Sequence, residues 1–158
     1  MMELDVKINA GDLYDYMMMH SYHSAAGLLG SGVGAVVWLV GMMKGQAIFV
    51  FAGIVLLAYL PWTLFIRSRR QILANPAFGE PLHYRLDEAG ITVSQNGEEQ
   101  HQDWADMVKA VSTGRSIIVY TSPVNATIFP RRELGDRQSD VIQMISTHMP
   151  PKKVRIRC

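Results

Sequence analysis

The chain has 158 residues, is 49% hydrophobic and 18% charged, and carries a formal net charge of +1 at pH 7. These averages are typical of a soluble protein, but residues 24–43 and 47–66 contain no Asp, Glu, Lys, Arg or His. About 20 helical residues span the roughly 30 Å hydrocarbon core of a bilayer, so each block is long enough to cross it. A purely soluble protein is therefore disfavoured, and the remainder can build only one small domain.

The first nine residues have the period of a strand. Leu4, Val6 and Ile8 alternate with charged residues, a pattern typical of a half-buried strand. So short a strand needs partners, and we expect residues 1–9 to join the sheet of the later domain; the alternative is a disordered tail. Asn9 or Asp12 then caps a helix that we expect to run straight into the first span.

Residues 10–70 are predicted to form this helix and a two-span hairpin, with spans at 24–43 and 47–66. The intervening Lys44-Gly45-Gln46 is too short for anything but a tight reversal, so both ends of the hairpin emerge on the same side of the membrane.

Basic residues set the expected orientation of the hairpin. Lys and Arg near span ends favour the cytoplasmic side, and Arg67, Arg69 and Arg70 outweigh Lys44. We expect a multi-pass protein of the cell inner (cytoplasmic) membrane with both termini in the cytosol. Trp62 and these arginines are the predicted membrane-interface residues.

Small residues recur every four positions in the first span, at Ala26, Gly30 and Gly34. Such residues let helices approach closely in lipid. Two partners remain open: the second span of the same hairpin, or another protomer in a homo-oligomer. Neither span carries a charge of the kind that ion and proton pathways use, so a transporter acting alone is disfavoured.

Residues 71–150 read as short strands followed by one helix. Asn96-Gly97 is a strong two-residue turn signal, and alternating segments on either side of it predict six strands. Trp104 is expected to pack against the final helix, whose apolar face holds Val141 and Ile145. With the N-terminal strand, the chain is predicted to be an α+β membrane protein with an antiparallel β-barrel or sandwich capped by a C-terminal helix.

The tail, residues 151–158, is basic. Lys152, Lys153, Arg155 and Arg157 alternate with small or apolar residues, and near an anionic leaflet each cation contributes roughly 1 kcal/mol of attraction. Contact with anionic lipid and a frayed, solvated tail are both open. Cys158 is the only cysteine, so no internal disulfide can form.

Three segments carry a family resemblance: 81–93 (PLHYRLDEAGITV), 104–109 (WADMVK) and 128–132 (IFPRR). They are similar to the YcxB-like bacterial membrane proteins, and the likeness extends to the layout of strand, helix and two spans. The resemblance implies a pleckstrin-homology-like (PH-like) soluble domain on a membrane hairpin. It brings no catalytic residue with it and implies architecture more than function.

No catalytic or cofactor motif is present. His20 and His23 lack a third ligand at convincing spacing for a metal, and the glycines at 30–34 follow no strand, as a dinucleotide loop requires. Phosphate binding by Arg131 and Arg132 is a minor alternative. No cofactor, metal or nucleic-acid partner is expected.

The leading functional hypothesis is a non-enzymatic, membrane-anchored PH-like module. Its partners would be the lipid bilayer and a protein or peptide that binds a cytosolic surface, with homo-oligomerisation open. The alternative is a self-immunity or membrane-defence protein against a membrane-active peptide, or an accessory subunit of an exporter.

Overall fold

The computed structural model describes residues 1–157, so Cys158 lies outside the described residues. The α-helices are α1 (Ala10–Tyr22), α2 (Ala25–Lys44), α3 (Ala47–Ala74), α4 (Arg131–Leu134) and α5 (Gln138–His148). The strands are β1 (Met2–Val6), β2 (Leu82–Leu86), β3 (Gly90–Gln95), β4 (Glu98–Asp103), β5 (Lys109–Ser112), β6 (Ser116–Tyr120), β7 (Ala126–Pro130) and β8 (Val154–Arg155).

The strands form two four-stranded sheets, ordered β1-β2-β3-β4 and β7-β6-β5-β8. Neighbours are antiparallel except β5 and β8, which are parallel. The predicted α+β class with a helical hairpin and a C-terminal helix is confirmed, but the two sheets do not close into a barrel. An eighth strand, absent from the prediction, comes from the basic tail.

Strand β1 makes the helical hairpin an insertion in the sequence of the first sheet. Leu4 and Val6 are buried while Asp5 is exposed, and Leu4 lies opposite Tyr84 of β2. Helices α1 to α3 are therefore inserted between two strands that pair directly with each other. Across the same sheet, Asn96 (φ 52°) and Gly97 (φ 84°) both adopt positive φ, the geometry of the hairpin turn predicted there.

The main core lies between the sheets and is closed by α5. Val141 and Ile145 of that helix are fully buried. Trp104 is 4% exposed, stacks on His148 with ring centroids 5.4 Å apart, and donates its indole N–H to the Asp87 carbonyl at 2.8 Å. The expected packing of Trp104 against the final helix is confirmed.

The expectation that the first helix runs straight into the span is wrong. The chain breaks between α1 and α2, because Ser24 caps α2 by accepting the Gly27 N–H at 3.1 Å. A Cβ on Gly27 would lie 2.0 Å from the Ser21 carbonyl oxygen, so only glycine permits this close approach.

Helices α2 and α3 pack against each other as an antiparallel pair joined by Gly45, whose φ of 64° ends α2 in the left-handed region. Both are long and apolar enough to cross a membrane, and only 11% of each apolar window is buried. They are therefore not core helices of a soluble domain, and their exposed apolar surface indicates association with a membrane. Helix α3 has 28 residues and continues past the predicted end of the second span.

The small-residue stripe does not act as a unit at the helix contact. Gly34 is buried, and a Cβ there would lie 3.1 Å from Leu57. Ala26 and Gly30 are exposed, and a Cβ on Gly30 would meet nothing within 4 Å. The contact instead uses Gly34 and Gly41 of α2 with Gly53 of α3, so the predicted spacing of four is wrong for packing within the hairpin.

Candidate anion-binding groove

A groove of about 580 Å³ lies on the outer face of the second sheet. Its cations are Lys109, Lys152, Lys153, Arg155 and Arg157, and its other walls are Met19, His23, Val108, Val111 and Ser112. We call these ten residues the basic groove. It is bounded by β5, by the tail that contains β8, and by the C-terminal end of α1.

The tail is folded along this groove. Val154 and Ile156 pack against the main core, so the alternation of a strand directs Lys153, Arg155 and Arg157 to the opposite, outer side. The tail residues 154 and 155 pair with β5, and a frayed tail does not describe them.

Hydrogen bonds fix both ends of the tail. Lys153 donates from Nζ to the Met107 carbonyl at 3.0 Å, and the Arg157 N–H donates to Ser112 Oγ at 2.7 Å. Arg131 donates to the Arg157 carbonyl at 2.6 Å. The outer cations therefore project from a backbone that is held in place.

Lys109 contributes its charge from β5. Its Nζ lies 4.6 Å from the centroid of the Tyr120 ring, within the range of a cation–π contact. Burial, with a smaller contribution from Tyr16, raises the pKa of Tyr120 to about 12. At neutral pH this phenol is uncharged and does not neutralise Lys109.

The groove carries an uncompensated positive charge. No Asp or Glu lines it, and the ion pairs among residues 1–157 involve none of its five cations. Clustered cations of one sign concentrate the field in a cleft and raise the local concentration of anions. The arrangement therefore fits an anionic ligand.

His23 connects the groove to the hairpin. It caps α1, donating from Nδ1 to the Met19 carbonyl at 2.7 Å, and the next residue, Ser24, begins the cap of α2. The groove thus opens where the first apolar helix starts.

The apolar part of α3 ends at the same level. Built Cβ atoms on Gly53 and Gly34 would contact Trp38 and Leu57 respectively. When this pairing of levels between α2 and α3 is extended toward the open end of the hairpin, Ala25 lies level with Ile66. The arginines that follow Ile66 therefore lie on the groove's side of the hairpin.

The predicted interface residues surround that end of α3. Arg67, Arg69 and Arg70 are exposed, and Trp62 is 66% exposed. The guanidinium of Arg69 lies 4.8 Å from the centroid of the Phe65 ring. An aromatic and cationic belt of this kind is typical of a membrane–water boundary.

Arg131 and Arg132 do not form a phosphate site. Arg132 contacts both carboxylate oxygens of Asp12, at 2.6 and 2.7 Å, and Asp12 is 1% exposed. Arg131 is committed to the carbonyls of Arg157 and Thr113. Both side chains serve internal contacts, so this minor alternative is wrong.

His20 and His23, the two histidines considered as metal ligands, make different contacts. His20 stacks beside Tyr16 and Tyr120, whereas His23 caps α1. Among residues 1–157 there is no group of three or more His, Cys, Asp or Glu side chains placed to hold a metal ion.

The sequence analysis named four of the groove's five cations as a possible contact with anionic lipid. It missed Lys109, His23 and the fold of the tail. The period-two alternation in Lys153-Val154-Arg155-Ile156-Arg157 is a strand signal that could have indicated β8. Nothing in the sequence alone shows that β8 pairs with β5 beside the end of α1.

Comparison with known families matches residues 86–145 to the model described as YcxB-like protein. The match runs from the end of β2 into α5 and includes Lys109 and Ser112 of the basic groove, but not the tail. No curated protein and no solved structure matches the chain. Over residues 86–145 the chain is therefore similar to the YcxB-like family, the family that the sequence resemblance named.

Proposed function

We propose that the protein is a non-enzymatic module anchored in the cell inner membrane, which holds a cytosolic PH-like domain at the bilayer and binds an anionic partner in the basic groove. The PH-like assignment is supported by the two largely antiparallel sheets and by the C-terminal helix α5 that closes the core between them.

Rigid attachment of the domain supports this role. Helix α1 contacts the hairpin through Tyr14, which meets Phe65 edge-on at 5.9 Å, and contacts the second sheet through Tyr16, whose ring lies 5.9 Å from that of Tyr120. Because the helices also lie between β1 and β2 in the sequence, two chain connections join them to the domain. A surface on it keeps a defined place relative to the bilayer.

Orientation is part of the proposal. Arg67, Arg69 and Arg70 lie at the open end of the hairpin, and the cations of the basic groove lie on the same side. Positive residues close to span ends favour the cytoplasmic side, so we place the domain and the groove in the cytosol.

The observation that carries the proposal is the concentration of five cations, without a carboxylate in the lining, beside the start of an apolar helix. A basic surface that only faces solvent has no need to hold its cations close together. An anion-binding site needs this clustering, and the bound anion relieves the repulsion among the cations.

Photocrosslinking in native membranes tests the proposal. Val108 lines the groove, is 41% exposed and carries no charge, so benzoylphenylalanine at this position leaves all five cations intact. We expect a crosslinked product that disappears in the Lys152→Glu, Arg155→Glu double variant.

Matched controls decide the result. Lys7→Glu reverses an exposed charge outside the groove and is expected to leave the product unchanged. The same photoprobe at Val124, which is 70% exposed and distant in sequence from the tail, is expected to give no charge-dependent product. A Val108 product that is absent, or that is insensitive to the charge of Lys152 and Arg155, would contradict the proposal.

A further inference from the structure

We infer that the ligand of the basic groove is the phosphate-bearing headgroup of an anionic phospholipid from the leaflet in which the hairpin sits. This inference rests on the proposed function and names the partner of the same site.

Distance from the bilayer favours a lipid of the same leaflet. His23 lines the groove and directly precedes Ser24, the cap of α2; consecutive Cα atoms are about 3.8 Å apart. Each headgroup layer of a bilayer is roughly 5–7 Å thick. A headgroup can therefore enter the groove while its acyl chains stay in the membrane.

The chemistry of the cations favours phosphate. The guanidinium groups of Arg155 and Arg157 can each donate two parallel hydrogen bonds to phosphate oxygens, and the ammonium groups of Lys109 and Lys152 act as compact charges. A zwitterionic headgroup would bring its own cation among these side chains. An anionic headgroup such as that of phosphatidylglycerol does not.

The groove also contains apolar side chains. Met19, Val108 and Val111 line it together with the cations, so apolar and basic side chains share the groove. The glycerol region of a phospholipid has the same mixed character, with phosphate at one end and acyl chains at the other. A soluble acidic peptide would leave these apolar side chains without a matching group.

The experiment uses the full chain with benzoylphenylalanine at Val108, reconstituted into nanodiscs of phosphatidylcholine alone or mixed with phosphatidylglycerol. Mass spectrometry identifies the crosslinked product. We expect a phosphatidylglycerol adduct in the mixed discs, and a reduction of about 10-fold or more in its yield in the Lys152→Glu, Arg155→Glu variant, because two attractive charges become repulsive. Lys7→Glu is expected to retain the parental yield.

Lys152 and Arg155 are suitable for this test because, among residues 1–157, neither side chain makes a hydrogen bond or an ion pair. Their reversal does not break the contacts that Lys153 and Arg157 use to hold the tail. Unchanged thermal unfolding of the variant verifies that the fold survives, and single Lys152→Gln and Arg155→Gln variants replace the double variant if it does not.

Inorganic phosphate in the buffer distinguishes a lipid from a free anion. If the groove takes a headgroup, millimolar phosphate leaves most of the lipid adduct in place, since the lipid is tethered to the same leaflet at high local concentration. Loss of the adduct to free phosphate would overturn the inference in favour of a soluble anion.

Native membranes separate the failure of this inference from that of the proposed function. A charge-dependent product that contains a protein and no lipid would overturn the inference and leave the proposed function standing. The absence of a charge-dependent product in both native membranes and mixed nanodiscs would overturn both.

Discussion

At the scale of single residues, Trp104 joins the turn after β2 to the final helix. Its ring is 4% exposed and stacks on His148, and its N–H donates to the Asp87 carbonyl. Removing the ring leaves a cavity between the sheets and α5, so we expect Trp104→Ala to lower the free energy of unfolding by about 3 to 5 kcal/mol.

Denaturant unfolding of the detergent-solubilised protein measures the Trp104 effect. Trp62→Ala is the matched control, because Trp62 is 66% exposed and a surface substitution changes stability by only about 0.5 kcal/mol. Equal losses from the two variants would show that Trp104 does not belong to the core.

A second residue-scale contact joins α1 to α4. Asp12 is 1% exposed and its carboxylate is paired with Arg132, which also donates to the Lys7 carbonyl at 2.6 Å. Arg132→Ala leaves the buried carboxylate of Asp12 without its cation, and breaking a buried ion pair in this way lowers stability by about 3 to 5 kcal/mol. We expect a loss of this size in the free energy of unfolding.

Arg137→Ala provides the comparison for Arg132, since Arg137 is exposed and donates only to the Glu3 carbonyl. Thermal unfolding of both variants is the measurement. If Arg132→Ala were no more damaging than Arg137→Ala, the Asp12 pair would not hold α1 to the domain.

At the scale of elements, glycines set how closely α2 and α3 approach. A Cβ on Gly53 would lie 2.5 Å from the backbone nitrogen of Trp38, whereas a Cβ on Gly30 would meet nothing within 4 Å. We expect Gly53→Ala to push the helices apart and to cost about 1 to 3 kcal/mol, with Gly30→Ala leaving the hairpin intact.

Thermal melting and crosslinking of these two variants and of Gly30→Leu show whether the small residues serve packing within the hairpin or self-association. A lower melting temperature for Gly53→Ala alone agrees with packing inside the hairpin. If Gly30→Leu removes an oligomeric species while the monomer stays stable, the outer part of the stripe serves self-association. Equal melting of Gly53→Ala and the parent would contradict the close helix contact.

The elements that sequence predicted best are those with strong local signals. The uncharged blocks gave the helical hairpin, and Asn96-Gly97 gave a turn because both positions require positive φ. The break before α2 was missed because the capping contact of Ser24 and the close approach at Gly27 depend on how the end of α1 lies beside the start of α2.

The candidate site was harder to predict than the fold. Four of its cations lie together in the tail and were recognised, but Lys109 lies over 40 residues earlier in the chain. Only the parallel pairing of β8 with β5 brings it beside them. A pairing between strands far apart in sequence leaves no local pattern, and for that reason the groove itself was not foreseen.

At the scale of the whole molecule, the basic residues near the span ends predict which side of the membrane holds the domain. Because Arg67, Arg69 and Arg70 follow the second span, we expect a reporter fused after Cys158 to be cytosolic. A cysteine placed at Gly45 is expected to react with a membrane-impermeant reagent added outside intact cells. A periplasmic or extracellular C-terminal reporter would show that the orientation is reversed.

The central claim is that the basic groove lies against the headgroups of the bilayer. Asn96 is the comparison site, because it lies near the end of α3 that points away from the spans. The side chain of its neighbour Gln95 donates a hydrogen bond to the carbonyl of Ala77, which lies beyond the last residue of α3. Helix α3 runs eight residues past Ile66, about 12 Å at roughly 1.5 Å per residue. A probe at Asn96 is therefore expected to stand clear of the headgroup layer.

Fluorescence quenching by headgroup-labelled lipid tests this claim most directly. The chain, with Cys158→Ser and a single fluorophore-bearing cysteine at Val108 or at Asn96, is reconstituted into liposomes that contain the quencher lipid. The account predicts strong quenching at Val108 and weak quenching at Asn96. Equal quenching at the two sites, or stronger quenching at Asn96, would contradict it.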